Sequence, residues 1–365
     1  MVEGNMLTDR GGMSPYYPRS RAINNGGGLG NSGFGASLTG RMRPPDQWGP
    51  WKTVERAVSA SFIVILVDGV GIPPEGLLEP MRSASRFFRN VHPGAPSPIP
   101  FEGVGIPTRA HLDVPGLPQS ATGHVSILTG SNAAKILGRH VPGFPTPSLK
   151  KLLAKWNLLS GAKGMGLKVS YVNAFRPLHP AILKRRLRGA MALAAEMAGQ
   201  CLLGVRDIEG ERALHHEFTN SELIKRGERL PLWTPRKAGR ILANISREFH
   251  LVLYEYSLTD LAGHMQDLGE AVAQLQRVEE FMEGVLEGLD PSSSHFLVCS
   301  DHGNLEDLSV KTHTRNPVPT LIWGPNAEEI AASIEGIEDI APAVMAILEE
   351  RAHPVRNPQK GGEAP

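Results

Sequence analysis

Three acidic residues stand just beyond apolar runs. Asp68 follows Phe62-Ile63-Val64-Ile65-Leu66-Val67, Asp260 lies four residues after the run 250–256, and Asp301 follows Ser300 behind the run 295–299. If the runs are strands of one parallel sheet, all three carboxylates project from the same edge. Anions crowded in that way repel one another unless cations hold them together. Imidazoles accompany them. Asp260 and His264 are spaced i, i+4, which puts them on one helical face, and Gly263 leaves room beside them. His302 adjoins Asp301, and His313 comes eleven residues later, in Lys311-Thr312-His313-Thr314-Arg315-Asn316-Pro317-Val318-Pro319. Carboxylates and imidazoles without cysteine suit zinc or manganese. The ligand set exceeds what one ion needs, so the expectation is two divalent metal ions, Mn2+ or Zn2+.

A nucleophile is available in Gly116-Leu117-Pro118-Gln119-Ser120-Ala121-Thr122-Gly123-His124. A helix-like stretch follows, so Ser120 sits where backbone N–H groups and the helix dipole favour an anion. A metal on its hydroxyl would lower the pKa and remove the need for a histidine base. The plainer alternative makes Ser120 an N-cap. Thr122, His124, Arg139 and His140 are candidate substrate contacts, with a surface or structural role the competing reading for His140. His215-His216 reads as a solvated pair. Gly69-Val70-Gly71 lacks the third glycine of a dinucleotide loop, because Pro74 takes that place, and Val70 removes the second acid of a DxD phosphatase.

The elements that must position these groups are strands at 62–67, 168–172, 250–256, 295–299 and 319–323, and helices at 147–159, 181–200, 235–248, 268–288 and 338–351. Continuous apolarity suggests strands covered on both faces. The alternation predicts an α/β fold: a doubly wound, mostly parallel sheet with helices on both faces, whose ligands bind beyond the carboxyl ends of the strands. Residues 1–55 are glycine-rich with few acids and cannot bury enough surface to order themselves, so they read as a disordered leader, with Met42 a candidate true start and a targeting role the lesser alternative. Residues 353–365 read as a flexible tail. Residues 56–175 and 241–352 make a discontinuous core, and 176–240, opening on Arg176, Lys184, Arg185, Arg186 and Arg188, reads as a small inserted cap.

Composition narrows the partners. Among 365 residues, 38 Lys and Arg balance 37 Asp and Glu, which gives no electrostatic reason to expect nucleic acid or a membrane surface. The longest apolar run is far short of the ~18 residues a bilayer crossing needs. Cys201 and Cys299 cannot build a disulfide framework, so a reducing, cytoplasmic setting is expected.

Taken in order, Val67-Asp68-Gly69, Gln119-Ser120-x-x-Gly123-His124, Asp260-x-x-Gly263-His264, Asp301-His302-Gly303-Asn304 and His313-Thr314-Arg315-Asn316-Pro317-Val318-Pro319 resemble the metalloenzyme core of the alkaline phosphatase superfamily. Within it they are similar to cofactor-independent phosphoglycerate mutase and phosphopentomutase, from about residue 60 to 350 apart from the cap. The resemblance implies that Asp68, Ser120, Asp301 and His302 hold one metal and that Asp260, His264 and His313 hold the other. It also implies that Ser120 is transiently phosphorylated, since the family hydroxyl lies four residues before the histidine, as Ser120 does before His124. The cap is much smaller than the phosphotransferase domain of those mutases, and phosphopentomutase uses a Thr nucleophile and a different Asp/His spacing. The expectation is hydrolysis of a small phosphorylated metabolite, ahead of a phosphomutase and of a non-catalytic metal-containing ligand-binding protein. A sulfatase is disfavoured, because no formylglycine motif surrounds Ser120.

Overall fold

The structure is a computed structural model that describes residues 58, 60–74, 84–92, 96–176 and 188–352. The expected leader, the expected tail and the basic residues Lys184, Arg185 and Arg186 lie outside the described residues.

Strands β1 (Phe62–Val67), β2 (Ser97–Ile99), β3 (Gly103–Thr108), β4 (Val169–Tyr171), β5 (Ala174–Phe175), β6 (Leu203–Gly204), β7 (Leu251–Tyr256), β8 (His295–Cys299) and β9 (Val318–Trp323) alternate with helices. The main sheet has the order β2-β3-β9-β8-β1-β7-β4, and β5 pairs with β6 apart from it. Strands β8, β1, β7 and β4 run parallel. The remainder, β9, β3 and β2, is joined through antiparallel pairs. The run expected at 319–323 in a parallel sheet is therefore corrected: β9 opposes β8. The reason lies in the connection, since residues 300–317 contain no helix and a parallel neighbour needs a crossover.

Helices are α1 (Ser120–Thr129), α2 (Ala133–Leu137), α3 (Pro147–Lys155), α4 (Leu158–Gly164), α5 (Ala190–Met197), α6 (Val205–Glu209), α7 (Ser221–Lys225), α8 (Pro235–Ser246), α9 (Leu258–Met265), α10 (Leu268–Gly288), α11 (Ala327–Ala332) and α12 (Ile340–Ala352). They cover both faces. Phe62, Val64 and Leu66 of β1 join Val125 of α1, Leu149 of α3 and Val344 of α12 in one apolar cluster, while Ile63, Ile65 and Val67 join Leu242 of α8 and Leu275 and Phe281 of α10 in the other. With both sides of β1 buried, its sequence has no polar alternation to show. Local signals set the outer helices: Thr234 accepts from the Lys237 N–H ahead of Pro235 to start α8, and Asp267 accepts from the Glu270 N–H to start α10.

The described part of 176–240 feeds both clusters. Met191 and Ala194 of α5 enter the first, and Ile208, Phe218, Leu223 and Trp233 enter the second. Its expected end at 240 falls inside α8. No helix among the described residues is long and apolar enough to cross a membrane.

Candidate metal centre

Register brings the acids together. Val67 of β1 is paired with Tyr256 of β7, and Leu66 with Cys299 of β8, so these three parallel strands end at the same edge. Asp68 follows β1 directly, its N–H donating to the Tyr256 carbonyl at 2.9 Å. Asp260 occupies the first turn of α9, and Asp301 and His302 lie two and three residues past β8. Gly69 permits the turn: its φ is +72°, and a Cβ there would stand 2.7 Å from the Cβ of Asp260.

Two buried groups result, Asp68 with His124 and Asp301, and Asp260 with His302 and His313, each with ligand-type atoms within 4.8 Å of one another. His302 joins them. Its Nε2 is 3.3 Å from Asp68 Oδ1 and 3.2 Å from Asp301 Oδ2, and its ring stacks on His313 at 3.7 Å. His264 belongs with the second group, its Nε2 standing 3.4 Å from Asp260 Oδ2 and 3.3 Å from His313 Nε2. The Nδ1 atoms of His264 and His313 donate to the carbonyls of Lys311, at 2.9 Å, and Pro118, at 2.8 Å. That tautomer leaves both Nε2 lone pairs facing Asp260, the backing arrangement of a metal-binding histidine.

Ser120 is 4% exposed, and its Oγ lies 3.0 Å from His302 Nε2. The N-cap alternative fails, because Gln119 holds the cap position and Ser120 is the first helical residue. Its hydroxyl faces the clusters from the amino end of α1. Thr122 faces away: fully buried, it donates to the Gln119 carbonyl at 3.0 Å and accepts from the Val141 N–H at 3.3 Å. His124, expected beside the substrate, is 1% exposed and lies within the carboxylate group, Nε2 3.0 Å from Asp301 Oδ2. Arg139 is exposed and His140 half-buried, and neither is among the side chains of the two groups.

The electrostatics favour cations. Burial, then Asp301, Asp260 and Glu255, push the Asp68 carboxyl well above its ordinary value. Burial also opposes ionisation of Asp301, but His302 and His124 outweigh it and hold that carboxyl below the usual range. For Asp260 the same opposition is overcome by His264, His302 and His313, which bring it to about 2. Burial and then His302 hold His313 down at about 4, hence neutral at pH 7. Both oxygens of Asp68, Oδ2 of Asp301, Nε2 of His124 and Nδ1 of His302 are buried without a well-directed hydrogen bond, the 3.0 Å approach of His124 Nε2 to Asp301 Oδ2 included. Buried polar atoms are seldom left so, and an oxygen-and-imidazole set missing its partners fits divalent cations.

Sequence reasoning missed two supporting acids. Glu306, 1% exposed, accepts from the N–H groups of Gly71 and Asn304 at 2.9 and 2.8 Å, from Asn316 Nδ2 at 3.0 Å and from the Thr314 hydroxyl. It thereby ties the loops after β1 and β8 to the segment carrying His313. Glu255, whose Oε1 is 3.7 Å from His124 Nδ1, backs that ring. The available signal was position: Glu306 follows Asn304 by two, and Glu255 lies within the apolar run 250–256.

Comparison with known proteins finds matches to part of the chain. Residues 235–351 match the Metalloenzyme superfamily model, a stretch that contains Asp260, His264, Asp301, His302 and His313. The chain is 31% identical over 113 residues to the 2,3-bisphosphoglycerate-independent phosphoglycerate mutase of Desulforudis audaxviator, which is 29% of this chain and 22% of that protein. It is 27% identical over 128 residues to the enzyme of that name from Haloarcula marismortui, 31% of this chain and 25% of that one. The chain thus spans about a quarter or less of the length of these relatives. Among solved structures, Thermus thermophilus alkaline phosphatase superposes with a TM-score of 0.47 at 12% identity, over 83% of this chain and 92% of that one. Over its matched stretch the chain resembles the Metalloenzyme superfamily, and the proteins it is similar to include 2,3-bisphosphoglycerate-independent phosphoglycerate mutases.

Proposed function

We propose that the protein is a metal-dependent phosphoryl-transfer enzyme that hydrolyses a small phosphorylated metabolite through a phosphoserine on Ser120. The observation that carries the reading is a buried hydroxyl at the amino end of a ten-residue helix, 3.0 Å from His302 and facing two groups of carboxylates and imidazoles, in the first of which Asp68, His124 and Asp301 carry unpartnered atoms. Asp68, Ser120, Asp301 and His302, with His124 alongside, would hold one divalent ion, and Asp260, His264 and His313 the other. Bound there, manganese or zinc ions supply charge neutralisation of the phosphoryl oxygens and a lowered pKa at the hydroxyl. Ser120 gives up its hydroxyl proton to solvent and attacks phosphorus as the bond to the leaving oxygen breaks, and that oxygen takes up a proton from solvent as the alcohol departs. The first-turn amides of α1 favour the anion at this end of the helix. Water then attacks the phosphoserine, releasing phosphate and restoring the serine. Glu306 and the backbone carbonyls on His264 and His313 keep the ligands in place throughout.

Hydrolysis is preferred because 176–240 is short and, among its described apolar side chains, Met191, Ala194, Ile208, Phe218, Leu223 and Trp233 are spent in the core clusters, which leaves little to retain an intermediate while it turns around. A phosphomutase is the second reading, favoured by the mutase relatives. A cytoplasmic setting accords with two unpaired cysteines, Cys201 and Cys299. The test is turnover on a panel of phosphorylated metabolites with manganese or zinc, the product identified as free phosphate or as an isomer. Free phosphate supports hydrolysis and an isomer supports the mutase, whereas two bound metals with no turnover on any phosphoester would leave a ligand-binding protein.

A further inference from the structure

His215, His216 and Glu222 form a separate group of ligand-type side chains, each offering one atom within 4.8 Å of the others. The histidine pair reads in the sequence as solvated, yet His215 is only 6% exposed. The two rings lie 4.2 Å apart, and His216 Nε2 is 3.5 Å from Glu222 Oε2. His215 Nδ1 is buried with no hydrogen-bond partner. Glu217 Oε1 stands 3.6 Å from it, too far to bond. The Glu217 carboxylate is instead committed to the Thr219 hydroxyl and to the N–H groups of Thr219 and Glu222. A buried imidazole nitrogen without a partner leaves its desolvation cost unmet. Burial also holds His215 below its ordinary pKa, which keeps its ring neutral.

We propose that His215, His216 and Glu222 bind a zinc ion, at a site that shares no ligand with the centre at the sheet edge. Two imidazoles and a carboxylate are a donor set suited to zinc. His215 is anchored to the sheet, since its carbonyl accepts from the Tyr254 hydroxyl at 2.8 Å and the Leu214 N–H donates to Val172 at 3.0 Å. Glu222 belongs to α7. A bound ion would therefore pin α7 to the sheet, a structural role beside helices α6 and α7, which are only five residues each.

Because His215 is buried, the test uses His216→Gln and Glu222→Gln, whose parent side chains are 25% and 28% exposed. Wild type and both variants are stripped with a chelator, dialysed against buffered zinc and analysed for zinc per chain, with circular dichroism as a check on folding. Each variant is expected to hold one zinc fewer than wild type while keeping the rest, and to show a smaller rise in melting temperature on zinc addition. Equal zinc content in all three proteins, at any value, would overturn the site. Turnover plays no part in the comparison, so its outcome is independent of the phosphoryl-transfer reading.

Discussion

Ser120 and Thr122 carry hydroxyls two residues apart on one helix, and their surroundings separate their roles. Ser120 faces His302, whereas Thr122 is tied to the Gln119 carbonyl and the Val141 N–H. Ser120→Ala removes no cap, so it should fold normally and lose several orders of magnitude in turnover. Thr122→Ala should keep most activity and lose roughly 1 kcal/mol of stability, the worth of a buried hydrogen bond, as measured by denaturant unfolding. A Thr122→Ala enzyme as inactive as Ser120→Ala would reverse the assignment. Asp301 gives a second check. Asp301→Asn withdraws charge from a pocket in which Asp68, His124 and His302 already lack partners, so elemental analysis should find at least one metal lost per chain. Full metal content in that variant would remove Asp301 from the ligand set.

Elements decide which of these residues can meet. The runs at β1, β7 and β8 were legible because strands covered on both faces are continuously apolar, and with them came the shared edge that gathers Asp68, Asp260 and Asp301. Strands β2 and β3 were not legible: Ser97-Pro98-Ile99 and Gly103-Val104-Gly105-Ile106-Pro107-Thr108 carry glycine and proline, which argue against a strand until a neighbour is known. The direction of β9 depended on a helix-free connection that apolarity does not report. His124 is legible as part of the Ser120 motif, but its burial against Asp301 is a tertiary contact. At element scale α9 offers a sharp test. A Cβ on Gly263 would lie 2.6 Å from Asn304 Cγ, and Asn304 Nδ2 donates to Asp260 Oδ1 at 2.7 Å. Helix propensity alone favours Gly263→Ala by about 1 kcal/mol. The clash should outweigh it, lowering the melting temperature and the metal content together. A variant that melts higher with its metals intact would show that Asn304 is free to move.

Across the whole molecule, pH reports on buried imidazoles away from the centre. His295 stacks on Phe62 in β1, donates from Nε2 to the Pro325 carbonyl and faces Arg351 through Nδ1. Burial, then Arg351, bring it from its ordinary 6.5 to about 4. Between those values the unfolded chain binds a proton that the folded chain does not. Stability is therefore fully present above 6.5 and lost as pH falls towards 4. His295→Gln should flatten the fall of melting temperature across that window. His313 is also held at about 4 and should keep part of the slope. An unchanged profile would mean that His295 is protonated in the fold.

The measurement closest to the central claim is the location of phosphate on the protein during turnover. Enzyme loaded with manganese or zinc, given a labelled phosphomonoester and quenched in acid, should carry label on the peptide containing Ser120, and mass spectrometry should place it on that oxygen and not on Thr122. Label on Thr122 would make that hydroxyl the attacking group, and a Ser120→Ala enzyme that turns over at the full rate without label would leave water as the attacking group; either result would contradict the account.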